Sequence, residues 1–187
     1  MFLPAVILSI LVGKLRGGSL RRLGEIPFRW MEPIILAFIV QAALKIGGDK
    51  GWTINPRIAP VIYVITYLVL LAGMWVNRHI YGMPYIGAGT ILNFLAIVAN
   101  RGRMPVSGPV LLRVGLGYTL ELFQKGRVYT HALIDEGTRL AFLGDVIPLP
   151  RPYPWPNALS AGDILIVVGI FLLVNQAMKP FKASLKA

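Results

Sequence analysis

Long apolar runs, separated by short basic or glycine-rich links, dominate the chain. The clearest run is Ile58–Val76, which contains no charged residue and is long enough for a helix to cross a bilayer. Other apolar runs occupy 2–13, 33–46, 84–99 and 164–178, and only isolated polar residues interrupt them. The pattern predicts an all-α, polytopic membrane protein with about five transmembrane helices.

Residues 100–160 differ in composition from the apolar runs. The stretch 108–123 is apolar but carries Arg113 and Glu121, which predicts an amphipathic helix in the membrane interface and leaves open whether it spans. A short helix is predicted over 136–142. Five prolines alternate through 148–156 and predict a stiff, extended connector.

The predicted organisation is one integral membrane domain over residues 1–187. Four transmembrane helices lie within 1–99, an outer-face interfacial region follows in 100–160, and the last helix with a cytoplasmic tail occupies 161–187.

Composition and charge agree with the membrane class. Hydrophobic residues make up 56% of the chain and charged residues only 14%, against about 25% in soluble domains. The formal charge of +11 fits loops that meet anionic lipid, so membrane lipids and not nucleic acid are the expected partners. The chain has no cysteine and two histidines, which excludes thiolate chemistry and predicts neither a metal nor a cofactor.

Basic residues predict the orientation. The links 14–29 and 77–82 and the tail share one side and hold five, one and three Lys or Arg, whereas 47–57 holds only Lys50 and Arg57. The positive-inside rule therefore places the N-terminus outside and the C-terminus inside. Residues 100–160 would then lie at the outer face.

Two aspartates are the main candidates for chemistry. Asp145 and Asp163 lie eighteen positions apart on either side of the connector, and Asp163 opens the last apolar run. Two adjacent carboxylates can act as base and acid in hydrolysis. Alternatively, Asp163 is a helix cap and Asp145 pairs with Arg139 or Arg151.

The segment 143–178 resembles the C-terminal part of bacterial lipoprotein signal peptidase, an intramembrane aspartic peptidase. Asp163 is followed by Ile166 and Gly169 at the family's offsets, and Asp145 lies at the matching distance upstream. The resemblance implies that the two aspartates form a catalytic dyad acting on a membrane-anchored substrate. Three positions depart from the family pattern: Val146, Ser160 and Gly162.

The whole chain also resembles an uncharacterised family of small bacterial integral membrane proteins. The similar stretches are ILNFLAIVANRGRMPVS, LGDVIP and SAGDILIVVGIF. This likeness implies a location in the bacterial cytoplasmic membrane but no activity. It leaves open a non-catalytic role as a lipid-binding or transport module, or as an accessory subunit of a larger membrane complex.

A second candidate site lies at the end of the fourth apolar run. Arg101 and Arg103 could hold a lipid or substrate phosphate, with Asn93 and Asn100 adding hydrogen bonds. The alternative is that the arginines anchor the helix at the interface.

His131 and Asp135 are four positions apart in the sequence. On a helix the two side chains could form a proton relay or a solvated contact.

Overall fold

The computed structural model describes residues 2–52 and 54–179, and this part of the chain is mostly helical. The predicted cytoplasmic tail beyond Lys179 lies outside the described residues. The α-helices are α1 (Phe2–Leu15), α2 (Met31–Lys50), α3 (Ile58–Val76), α4 (Met83–Ala99), α5 (Gly108–Arg113), α6 (Gly117–Gln124) and α7 (Ala161–Met178). The strands are β1 (Met104–Val106), β2 (His131–Leu133), β3 (Ile147–Leu149) and β4 (Asn157–Leu159).

The five long helices pack side by side in the order α1, α7, α4, α3, α2. Helices α2, α3 and α7 are long and apolar enough to cross a membrane, while α1 and α4 are apolar but shorter. Their outward faces expose large apolar side chains, as on α2 at Ile35, Leu36, Phe38 and Ile39. Helices that are apolar on every side need an apolar surrounding, which a bilayer provides.

Glycines bring α4 and α7 unusually close together. A Cβ at Gly89 would lie against the carbonyl oxygen of Gly162 and 2.8 Å from Ile166 Cγ1. About two turns further along, a Cβ at Gly169 would lie 2.8 Å from the carbonyl oxygen of Gly82. Small residues at such crossings allow two backbones to touch, a common device in membrane helices.

Polar side chains also join neighbouring helices within the bundle. Gln41 donates to Thr66 Oγ1 at 3.0 Å, linking α2 and α3, and Asn175 donates to the Ser9 carbonyl at 3.3 Å, linking α7 and α1. Asn77 fixes the segment before α2 by hydrogen bonds to the backbone N–H and carbonyl of Arg29. These hydrogen bonds fix the position of each helix along its neighbour, which apolar contacts alone do not specify.

In the region 100–160 the helices differ from the two that the sequence predicts. The expected interfacial helix is broken into α5 and α6, because Gly115 adopts a left-handed conformation with φ of +80° after α5. The Leu116 N–H then bonds back to the Leu111 carbonyl at 2.8 Å, which closes the helix end. The short helix predicted over 136–142 is a turn followed by the 3-10 helix Ala141–Leu143.

Strands β1 to β4 all lie in this region, and the sequence did not predict them. Strand β1 pairs in parallel with β2, and β3 pairs antiparallel with β4. The proline connector therefore closes a hairpin whose two strands lie side by side. We call residues 100–160 the subdomain, and the end of the bundle that carries it the subdomain end.

Candidate functional site

The β3–β4 hairpin brings the two candidate aspartates to the same end of the bundle. Its register pairs Ile147 with Leu159, and counting back two positions sets Asp145 opposite Ala161, at the start of α7. The backbone of Asp145 is also fastened to β1: its N–H donates to Pro105 at 2.8 Å, and its carbonyl accepts from Ser107 at 3.1 Å. The backbone of Asp145 is thus held between the β1–β2 sheet and the β3–β4 hairpin.

Asp163 takes part in the N-terminal cap of α7, whose N-cap residue is Ser160. The Asp163 N–H donates to Ser160 Oγ at 2.9 Å, and the Ser160 N–H donates to Asp163 Oδ2 at 3.1 Å, which completes a capping box. Asn93 on α4 donates to Asp163 Oδ1 at 3.1 Å and accepts from Ser160 Oγ at 2.7 Å. Both carboxylate oxygens of Asp163 therefore accept hydrogen bonds: Oδ2 within the cap of α7, and Oδ1 from Asn93, which joins α7 to α4.

Asp145 has a different partner from those expected. Its Oδ2 lies 3.3 Å from His131 Nε2, with the two side chains 12% and 33% exposed. The Thr130 hydroxyl lies 2.8 Å from His131 Nδ1, so both ring nitrogens have a polar neighbour. A histidine held between a hydroxyl and a carboxylate is fixed in orientation, as in many binding and catalytic sites.

The suggested pairing of His131 with Asp135 is wrong, because His131 begins a strand and not a helix. Asp135 instead closes a tight turn in which Oδ1 accepts from the Gly137 N–H at 2.9 Å and the Thr138 hydroxyl at 3.0 Å. The side chains of Asp145 and Asp163 lie within range of each other's charge. Each carboxylate nevertheless has its own hydrogen-bonding partners.

Two tyrosines that the sequence did not single out lie close to these carboxylates. Tyr63 and Tyr67 both belong to α3, and Asp145 and Asp163 are among their charged neighbours. Their rings meet edge to face with centroids 5.2 Å apart, and Tyr67 stacks on Phe94 of α4. The two tyrosines are one helical turn apart, so their spacing in the sequence places them on one face of α3. The spacing does not indicate which residues that face contacts.

The four predicted phosphate-binding residues do not form one cluster. The Asn93 side chain is hydrogen-bonded to Asp163 and Ser160, apart from the other three. Asn100 brackets the backbone of Arg139, donating to its carbonyl at 2.7 Å and accepting from its N–H at 2.9 Å. Arg101 is exposed in a left-handed turn with φ of +56°. Arg103 reaches the Pro56 carbonyl at 3.5 Å. The arginines remain available at the surface of the subdomain end.

A cavity of about 540 Å³ opens beside the His131–Asp145 pair, and we call it the subdomain cavity. Apolar side chains from α5, α6, β1 and the end of α2 form most of its wall, while Thr130, His131 and Asp145 contribute polar groups. Its further lining includes Leu44, Lys45, Asp49, Val106, Leu111, Leu122, Phe123, Arg127, Tyr129, Trp155 and Ala158. Asp163 is not among the residues that line it. Across residues 2–52 and 54–179, no three acidic or histidine side chains are grouped so that they could hold a metal ion.

The fold and this site define a mostly helical protein, with three helices long and apolar enough to cross a bilayer and a small mixed subdomain that encloses a largely apolar cavity with a few polar groups. The chain belongs to a family of unknown function, DUF5317, whose model matches residues 25–175. An uncharacterized protein of Thermotoga maritima is 26% identical over 172 residues, covering 92% of this chain and 86% of that protein. No solved structure gives a significant match. The likeness to an uncharacterised bacterial family is thereby confirmed.

Proposed function

We propose that this protein is a membrane-embedded binding protein that holds an amphiphilic small molecule in the subdomain cavity. The observation that carries the proposal is the His131–Asp145 pair, which forms part of the wall of a mostly apolar cavity of about 540 Å³. Pockets of about 300–1,000 Å³ with apolar walls and a few fixed polar groups are typical of small-molecule sites.

The polar wall and the apolar wall would hold different parts of the ligand. The Asp145 carboxylate offers hydrogen-bond acceptor sites to a ligand, and His131, held between that carboxylate and the Thr130 hydroxyl, fixes its position. Leu111, Leu122 and neighbouring side chains offer an apolar surface to a hydrocarbon portion. A molecule with one polar group and an apolar body matches both surfaces.

Charged side chains at the cavity also favour a polar head group on the ligand. Lys45 and Asp49 are exposed on the last turns of α2, and Arg127 is exposed after α6. The Arg127 guanidinium lies beside Gly51, with its Cζ 3.1 Å from where a Cβ would be. Charges of both signs at one opening suit a zwitterionic or hydrogen-bonding head group better than a bare anion.

We infer five membrane crossings, with α1 and α4 spanning beside α2, α3 and α7. Both shorter helices pack along α7, and Leu8, Leu11 and Leu95 on them are exposed like the outward residues of the long helices. With the N-terminus outside and the C-terminus inside, the subdomain faces the outer side. The cavity then opens near the membrane surface, because Leu44 and Lys45 near the end of α2 line it.

Altering the polar wall should weaken ligand binding while leaving the protein folded. We expect His131→Ala and Asp145→Asn each to weaken binding at least about tenfold, the effect of one lost buried polar contact. The probe is a diazirine-bearing monoacylglycerol, whose head group is uncharged and hydrogen-bonding, offered to the protein in phosphatidylcholine nanodiscs. Mass spectrometry should locate cross-links on α5, α6 and β4.

His79→Ala is the matched control, because His79 is the other histidine and lies outside this cavity. It should leave the cross-linking pattern unchanged. Cross-links confined to outward residues such as Leu36 and Phe38, or unaffected by His131→Ala, would contradict the proposed site.

A second candidate function is intramembrane aspartic hydrolysis by Asp145 and Asp163. The observation that favours it is the hairpin register, which sets Asp145 opposite the first turn of α7, together with the electrostatic reach between the two carboxylates. Asn93 and Ser160 each occupy one acceptor site of the Asp163 carboxylate, which leaves a second lone pair on each oxygen for a water or a substrate proton.

The dyad can be tested with a lipid-modified lipoprotein precursor as substrate. Asp163→Asn should eliminate cleavage, because an amide cannot serve as base or acid, yet should keep the protein folded, because its carbonyl oxygen can still cap α7. Asp135→Asn, which alters an exposed turn, is the control and should cleave normally. Retained cleavage by Asp163→Asn, or no cleavage by the parent protein, would contradict the dyad.

A further inference from the structure

A second cavity lies at the end of the bundle opposite the subdomain. It has a volume of about 420 Å³ and lies where the 3-10 helix Leu20–Glu25, the α3–α4 link and the end of α7 meet. Its lining is Arg22, Glu25, Ile26, Pro27, His79, Ile80, Tyr81, Leu173, Gln176, Ala177 and Lys179. We propose that this cavity binds the phosphate-bearing head group of an anionic membrane lipid, and we call it the head-group cavity.

Three nitrogen-bearing side chains from three separate segments converge on this cavity. Arg22 comes from the 3-10 helix, His79 from the α3–α4 link and Lys179 from the residue after α7. Arg22 is half-buried and its Nη1 reaches the Met178 carbonyl at 3.5 Å, while Lys179 Nζ donates to Gln176 Oε1 at 2.8 Å. Each contact uses one donor of a multi-donor group, so the remaining N–H groups can bind phosphate oxygens.

The negative charges near this cavity do not cancel its basic character. Glu25 is its one acidic lining residue, and that carboxylate lies 3.9 Å from the Arg21 guanidinium. The carbonyl end of α7 is also partly negative, and Arg22 and Lys179 lie where they offset it. Two permanent cations against one shared carboxylate leave the cavity attractive to an anion.

The apolar part of the lining favours a lipid over a free anion. Leu173 and Ile80 belong to the apolar packing around α7 and α4, and Tyr81 is 56% exposed beside them. A lipid's glycerol and the first carbons of its chains could rest on these side chains while its phosphate meets the cations. Inorganic phosphate would use only the polar half of the cavity.

This inference is independent of the ligand proposed for the subdomain cavity. The two cavities have no lining residue in common and lie at opposite ends of the bundle. In the orientation inferred above, the head-group cavity faces the cytoplasmic leaflet, whose anionic lipids attract basic segments.

The test is lipid binding to the detergent-purified protein, measured by native mass spectrometry with phosphatidylglycerol and phosphatidylcholine. The parent should prefer phosphatidylglycerol by about tenfold, as two basic contacts near a head group provide. Arg22→Gln with Lys179→Gln should remove most of that preference. Lys14→Gln with Arg16→Gln removes the same charge from the same basic region, outside the cavity, and should retain it.

Further arms separate the possible sources of phosphate and guard against misfolding. Inorganic phosphate should not displace phosphatidylglycerol; displacement at millimolar concentration would overturn the lipid proposal in favour of a free anion. Equal loss in the two double variants would overturn it too, since the preference would then be general electrostatics. Lys179→Gln alone changes an exposed side chain and should lower the preference even if the double variant fails to fold.

Discussion

Gly89→Ala is expected to lower the free energy of unfolding by about 2 kcal/mol or more, the usual cost of forcing extra volume into a packed interior. The added methyl would meet the Gly162 carbonyl and lie 3.0 Å from the Ile166 N–H nitrogen. These are backbone atoms of α7, so relief requires the two helices to separate. Thermal unfolding in a mild detergent measures the effect.

Gly87→Ala is the matched control on the same helix, two positions away. A Cβ at Gly87 would meet only Met74 Cβ, at 3.7 Å, which is ordinary contact. It should be neutral or raise stability by up to about 1 kcal/mol, because alanine is the better helix former. Equal behaviour of the two variants would mean that α4 and α7 are not in backbone contact.

Asn93→Leu is expected to destabilise the protein by about 2–4 kcal/mol, because it removes one hydrogen bond from the buried Ser160 hydroxyl and one from the half-buried Asp163 carboxylate. Ser160 Oγ, fully buried, loses its acceptor at 2.7 Å, and Asp163 Oδ1 loses its donor at 3.1 Å. A branched side chain would also crowd Gly162, since a Cβ there would already touch the Asn93 amide. Unfolding midpoints in detergent measure the loss.

Thr90→Val is the control for Asn93→Leu, because Thr90 is a buried polar residue on α4 whose hydroxyl bonds only within the helix, to the Ile86 carbonyl at 2.8 Å. It should cost less than about 1 kcal/mol. A double-mutant cycle of Asn93→Leu with Ser160→Ala should show positive coupling. Additive effects would contradict the shared network.

The apolar runs predicted a helix of the bundle well where that helix begins and ends with its run. Helix α3 has the predicted bounds, Ile58–Val76. Helix α2 instead continues beyond the apolar run 33–46 to Lys50, because Gly47 and Gly48 are buried against Trp52 and the backbone of Arg127. Glycines that indicate a turn in the sequence here serve close packing, which depends on distant segments.

The candidate site was predictable only in part, for the same reason. The cap formed by Ser160 and Asp163 is local and follows from residue types three positions apart. The partner of Asp145 depends on β1 pairing with β2, which joins segments far apart in the sequence. Three-residue strands are too short for their periodicity to be recognised in the sequence. Arg139 and Arg151 were therefore the expected partners of Asp145, and His131 was not. The Asp145–Asp163 dyad remains a prediction.

The position of α7 between α1 and α4 constrains how the protein is made. The ribosome releases α1 first, yet the partner that packs along α1 and bonds Ser9 to Asn175 emerges some 150 residues later. Meanwhile Gly89 and Asn93 face lipid or translocon without their partner. In the proposed five-span topology, biogenesis therefore includes an interval in which α1 to α4 are inserted before α7 is available to pack between α1 and α4. An insertase or chaperone that shields the α1–α4 cleft during this interval would raise the yield of correctly assembled protein.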